Sequence, residues 1–223
     1  MKFLWSTHLQ ECITEVYRSH PDLYDHRKSF PWLTGSLGDP NSRIWFVGEN
    51  PSLGQVERFS DQHGGHITEE AQWSGSRGDK LFRSMLVKHG FKQAPAESHG
   101  GWSCYITNAI KEADYAQRWR GSPMERRRNA ALVWAPVLKW ELENSRPIMV
   151  VALGKTVRET LTYLEKYGLV FPNIITVQHY SYVALRPRGK QGPMHPERVK
   201  EYDEEFDEVF RMFNATKAKS ENV

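Results

Sequence analysis

Four short apolar runs constrain this chain more than any other feature: "RIWFV" at 43–47, "WSCYIT" at 102–107, "PIMVVAL" at 147–153 and "NIITVQ" at 173–178. Each is too short for a core helix and nearly continuous in apolar residues, as expected of a strand covered on both faces. Helical patterns lie between and around them. Leu9, Ile13, Val16 and Tyr17 share one face, as do Leu81, Phe82, Met85 and Leu86. A third stripe is Val157, Leu161 and Leu164, with Gly168 as its stop signal, and a fourth runs from Val199 through Tyr202, Phe206, Val209 and Phe210 to Phe213. Met124–Ser145 also reads as helical, with Pro136 expected to kink or split it. Strands alternating with helices predict an α/β fold, three layers of α/β/α around a central four-stranded parallel sheet.

The 223 residues suit one domain, placed here at 1–213 and followed by a flexible polar tail at 214–223. A formal charge of +3 does not by itself call for a nucleic-acid partner. Its distribution says more: Arg118, Arg120, Arg126, Arg127 and Arg128 form one cluster, and Arg186, Arg188 and Lys190 another. Two cysteines, Cys12 and Cys104, cannot build a four-thiolate metal site, and no segment reads as a signal peptide or membrane span. A reduced, cytoplasmic setting and a monomer are expected, with no cofactor and no membrane partner.

In parallel sheets the ligand site lies outside the carboxyl ends of the strands. Polar clusters sit at all four ends: "GENPS" after the first run, Asn108 after the second, "GKT" after the third and "HYSY" after the fourth. Familiar nucleotide loops do not explain them. A P-loop needs a glycine where Met149 stands, and "GENPSLG" is not a GxGxxG turn. Asp61, His63 and His66 have tolerable metal spacing but no supporting second-shell pattern, so no metal is expected.

Taken in order, "GENPS", "WSGSRGDKLFRSML", "YITNAIK", "VVALG" and "HYS" resemble the uracil-DNA glycosylase superfamily. The likeness is nearest to its iron–sulfur-cluster branch, whose motifs read roughly GEAPG, FVGRAGxLLDRML, YITNVVKCRPP, CRPFL, VIVALG and HPS. That branch places cysteines where this chain has Glu112 and Trp134. The resemblance therefore implies a relative without an iron–sulfur cluster, in which those two residues serve packing or solvation.

The resemblance also implies an activity: a monofunctional DNA glycosylase that flips out a uracil or modified pyrimidine and hydrolyses the base–sugar bond, leaving an abasic site. Glu49 or Asn50 then positions the water, and the choice between them stays open; His179 donates to the leaving base. Asn108 reads the base edge, Trp73 stacks on the flipped base, and Ser52 occupies the position facing the pyrimidine C5. In the loop after His179, Tyr182 or Leu185 is the candidate wedge, with Ser181, Arg186 and Arg188 on phosphates of the DNA partner. Tyr180 replaces the family proline, which puts the shape of that loop in question.

Ser52 is small, and the segment between Gly48 and Trp73 is longer than in the cluster branch, with polar material from Gln55 to Glu70 read as a loop. Both features admit a larger base. A glycosylase for hydroxymethylated or glucosylated cytosine of phage DNA, acting in defence, is one alternative. A non-catalytic module that binds DNA or a modified base is another.

Overall fold

The computed structural model describes residues 2–62, 76–93, 100–185 and 194–221. The chain begins with α1 (Lys2–Ser19), a 3-10 turn at His26–Lys28 and a short strand β1 (Ser36–Gly38). Then come β2 (Ile44–Gly48), α2 (Leu53–Gln62), α3 (Arg77–Lys88), β3 (Tyr105–Asn108), α4 (Ala116–Arg120) and α5 (Met124–Ser145). The remainder is β4 (Met149–Leu153), α6 (Lys155–Glu165), β5 (Ile174–Val177), α7 (Tyr180–Val183) and α8 (Pro196–Glu221).

The sheet has five strands in the order β1-β3-β2-β4-β5. The four strands expected from sequence are all present and mutually parallel, and β1 is added at the edge, antiparallel to β3. Because strand side chains alternate, each central strand feeds two cores. Trp45, Val47, Tyr105, Val150 and Ala152 point to the layer of α1, α5 and α6. Ile44, Phe46, Met149, Val151 and Leu153 point to the layer of α3 and α8, where Phe206 stacks on Phe46 at 5.7 Å. The three-layer α/β/α architecture follows directly.

Three expectations need adjustment. Pro136 does not split α5, which is one helix of 22 residues. The segment from Gln55 to Gln62, read as loop, belongs to α2, which buries Leu53, Val56 and Phe59; Leu53 and Val56 pack against Leu33 and Ala113 in a small satellite core. Past Asn214, where a polar tail was expected, α8 continues as helix to Glu221, with nearly every residue there exposed.

Sheet order reverses between β2 and β4: the chain leaves β2 for β3 on one side, then returns to β4 on the other. At such a switch point the loops diverge and open a crevice at the carboxyl edge. One wall of that crevice is braced from beneath by buried charge. Lys111 Nζ lies 2.8 Å from Glu141 Oε2, and the two side chains are 1% and 0% exposed. Tyr105 Oη, Thr107 Oγ1 and Lys111 Nζ all donate to Glu141 Oε1, at 2.6, 2.9 and 3.0 Å. This cluster ties the end of β3 and the following loop to α5. Removing one partner strands the other charge in a dry interior, at a typical cost of about 3–5 kcal/mol. Glu141→Ala is thus expected to lower the urea-unfolding free energy by about 3–5 kcal/mol, with Lys111→Met/Glu141→Leu recovering part of the loss. A change in Glu141→Ala below about 1 kcal/mol, the range of an exposed pair, would refute the brace.

Candidate active site

The loops after β2 and β3 run side by side beyond the strand ends. Ala109 N–H donates to Gly48 O and Ile110 N–H to Glu49 O, both at 2.9 Å. Asp114 N–H donates to Pro51 O at 3.1 Å, Leu53 N–H donates to Asp114 O at 2.9 Å, and Asn50 Nδ2 donates to Glu112 O at 3.3 Å. This extended ladder explains how a strand can present a carboxylate at its tip: the backbone polar groups around Glu49 are satisfied by the neighbouring loop and make no claim on its side chain.

Glu49 is largely buried, with its side chain 17% exposed. Burial pushes its carboxyl pKa above the usual range, while the Trp119 indole and the Arg127 guanidinium pull it back. Arg127 Nη1 lies 3.9 Å from Glu49 Oε1. That oxygen accepts no hydrogen bond of ordinary geometry among the described residues, and the Trp119 indole N–H acts on the carboxyl only as a weaker polar contact. Arg127 also donates to the carbonyls of Trp119 and Arg120, at 3.2 and 2.6 Å, and so fastens the end of α4 beside Glu49. Asn50, by contrast, spends its amide on the Glu112 carbonyl.

Asn108 ends β3 directly beside Gly48 on β2. Its Nδ2 donates to Gly35 O at 2.9 Å, which fixes the amide plane. A Cβ on Gly48 would come within 2.5 Å of Asn108 Oδ1, so only glycine leaves the amide in this place. Ser52 is half-buried and pairs through its backbone with Asp114 at the start of α2.

Across the switch point, His179 caps α7. Its Nδ1 accepts from Ser181 N at 3.2 Å and lies 2.7 Å from Ser181 Oγ. A backbone N–H can only donate, so Nδ1 is unprotonated and the single imidazole proton sits on Nε2. Burial, aided by the Arg120 guanidinium, lowers the His179 pKa to about 4. The ring packs close to Gly154, whose φ of +100° suits glycine and whose added Cβ would lie 3.2 Å from His179 Cβ. Tyr180 stacks on Phe82 of α3 at 5.3 Å and lies 4.4 Å from the His179 ring. Tyr182 and Leu185 are exposed at 49% and 54% beyond it.

Glu49, Asn50, Ser52, Asn108, His179, Ser181, Tyr182 and Leu185 thus all lie at the carboxyl edge of the sheet or in the loops and short helix that leave it. Trp73, Arg186 and Arg188, and His63 and His66 of the discarded metal reading, lie outside the described residues. No group of three His, Cys, Asp or Glu suited to a metal occurs among the described residues. Arg127, Trp119 and Arg120 are the site's unforeseen members. The arginines were visible as a charge run, but not which of them turn inward.

The architecture is that of an α/β protein that gathers Glu49, Asn50, Asn108 and His179 at the carboxyl ends of its parallel strands, beside the point where strand order reverses. The chain belongs to the uracil DNA glycosylase superfamily, whose family model matches residues 36–206. No curated protein matches it. An iron–sulfur cluster does not fit these residues. Trp134 is fully buried against Tyr17, with ring centroids 5.2 Å apart. The two cysteines join opposite cores, Cys12 with the α1 and α5 layer and Cys104 with the α3 and α8 layer.

Because His179 titrates near pH 4 when folded and near 6.5 when unfolded, the unfolded chain binds the extra proton between these values. The stabilising effect of burying it neutral is complete above about pH 6.5 and is lost as pH falls toward 4. Nitrogen NMR of the imidazole is expected to show the Nε2–H tautomer and a midpoint near pH 4, and Ser181→Ala, which keeps the backbone donor, is expected to retain that tautomer. A His179 midpoint at or above 6.5 would contradict this environment.

Proposed function

We propose that this chain is a monofunctional DNA glycosylase and a cluster-free relative of the iron–sulfur branch of its superfamily. The observation that carries the proposal is the placement, at the carboxyl edge of one parallel sheet, of a largely buried carboxylate with an oxygen lacking an ordinary hydrogen bond and of an imidazole held neutral with its proton on Nε2. Cleaving the bond from sugar C1′ to the base sends the bonding electrons to the base and leaves an oxocarbenium-like sugar. His179 Nε2–H donates to the base oxygen as negative charge gathers there, and being neutral it stabilises that anion without surrendering its proton. Glu49 offsets the cationic sugar and takes a hydrogen bond from the attacking water through Oε1. Water adds to C1′, its proton passes to the carboxylate or solvent, and an abasic site remains.

Between the two residues left open after β2, the geometry favours Glu49. Asn50 already donates to Glu112 O, whereas Glu49 Oε1 accepts no hydrogen bond of ordinary geometry among the described residues. Asn108, braced by Gly35 O, offers Oδ1 and a second amide hydrogen to the base edge. A lysine Schiff base on Lys111 is disfavoured, because that amine is buried and committed to Glu141. A second reading, removal of a bulky 5-modified cytosine in phage defence, is favoured by the small Ser52 side chain at the head of α2.

The test is incubation with duplexes carrying uracil, glucosylated hydroxymethylcytosine or only ordinary bases, followed by alkaline cleavage. Breaks at uracil support the first reading and breaks at the modified cytosine the second. In either case Glu49→Gln and His179→Ala are expected to reduce the rate by about 10²–10⁴-fold, the usual range for such groups. Activity needs Glu49 ionised and His179 neutral, so the pH profile is expected to fall only toward acid through these groups. DNA binding with no breaks in any duplex would overturn the enzyme and leave a binding module.

A further inference from the structure

The arginines at the α4–α5 corner do not all serve Glu49 and His179. Arg118 Nε lies 2.5 Å from Asp114 Oδ1, and Arg126 Nη2 lies 3.1 Å from Asp114 Oδ2. Asp114 itself is fully buried and is part of the ladder that joins the loops after β2 and β3. The two arginine side chains stay 58% and 45% exposed. Arg126 also donates to Ser122 Oγ at 3.0 Å, and Arg120 is exposed on the same short helix. One buried carboxylate therefore anchors two long cations at a fixed place, with their side chains still about half exposed. Keeping the buried Asp114 compensated accounts for one cation at this place, but not for a second whose side chain also stays about half in water. A binding role explains it well, because arginines already held in place lose less freedom when they engage a ligand.

We infer that Arg118 and Arg126 form a preorganised clamp for backbone phosphates of the DNA strand entering the crevice. Glu49, Glu57, Glu112 and Glu125 are the other acidic side chains of this corner. Glu57 is hydrogen-bonded to Tyr115 Oη and Glu49 lies beside Arg127, while Arg118 and Arg126 share the single Asp114 carboxylate, two cations to one anion. Guanidinium forks match phosphate oxygens in geometry and charge, and such contacts hold the duplex without reading its sequence. This clamp rests on the glycosylase reading only in its choice of DNA as partner.

The experiment is a titration of a fluorescein-labelled uracil duplex across a range of salt concentrations, read by anisotropy. Arg118→Gln and Arg126→Gln are made separately, so that each leaves Asp114 one cation and the loop ladder intact. Each is expected to weaken binding and to reduce the slope of log K against log salt by about one. Arg126→Lys is expected to retain the slope. Lys139→Gln, on the distant half of α5, serves as the control and is expected to leave affinity unchanged. Wild-type binding with unchanged slopes in both glutamine variants would overturn the clamp while sparing the glycosylase reading. Reduced slopes with no abasic sites would do the reverse, and a wild-type chain that does not bind the duplex would sink both.

Discussion

A lysine and a glutamate with almost no access to water hold the working edge of this protein in register. Lys111 and Glu141, with Tyr105 and Thr107 around them, fix the loop after β3 to the middle of α5. The pair need not add net stability, since an apolar replacement of similar volume is often as stable. What it supplies is discrimination. Any slip of the loop along α5 would part the charges and leave one of them buried alone. Because α5 also carries Arg127 and Arg126, the same contact sets where Glu49 finds its countercharge and where Asp114 finds its second arginine.

Burial then acts on the two central side chains in opposite senses. It disfavours charge in both, which weakens the acidity of Glu49 and the basicity of His179. A carboxylate that must stay ionised therefore needs a compensating cation, and Arg127 stands beside it. An imidazole that must stay neutral needs the reverse. Here Arg120 adds to the effect of burial, and Ser181 occupies the nitrogen that would otherwise take a second proton. Both arginines belong to the α4–α5 corner, where the Arg127 guanidinium donates to the last two carbonyls of α4.

The sheet was legible because β2 and β4 are buried on both sides and β3 nearly so, which gives a strong apolar signal. The more open β5 still carries a β-branched Ile-Ile-Thr-Val run. What escaped notice has little signal of its own. β1 is three residues long and is defined by pairing with β3, not by composition. α2 is mostly polar, and only Leu53, Val56 and Phe59 turn inward. α4 and α7 are shorter than two turns, too short for a helical period to show. The strand-end residues were legible because motif order placed them. Arg127 was not, since its partner Glu49 is far away in sequence and nothing local separates it from Arg126 or Arg128. Gly48 shows the same limit: its need for a hydrogen side chain arises only from Asn108 on the next strand.

The loop at His179 shows how one backbone shape can be held by different means. A proline after the histidine would exclude helical dihedrals at the preceding residue and favour an extended one. His179 has φ −73° and ψ 124°, on the extended side, although Tyr180 follows it. Here the restraint comes from side chains. Ser181 satisfies Nδ1 of the histidine, and the Tyr180 ring is stacked on Phe82 of α3. The buried Tyr180 hydroxyl is raised in pKa by desolvation, by the charge of Asp79 and by a hydrogen bond to it, and Asp79 closes the capping box with Ser76 at the start of α3. A proline would constrain only its own neighbour. The tyrosine instead joins the histidine loop to the first turn of α3, so the two segments that flank this side of the crevice are placed together.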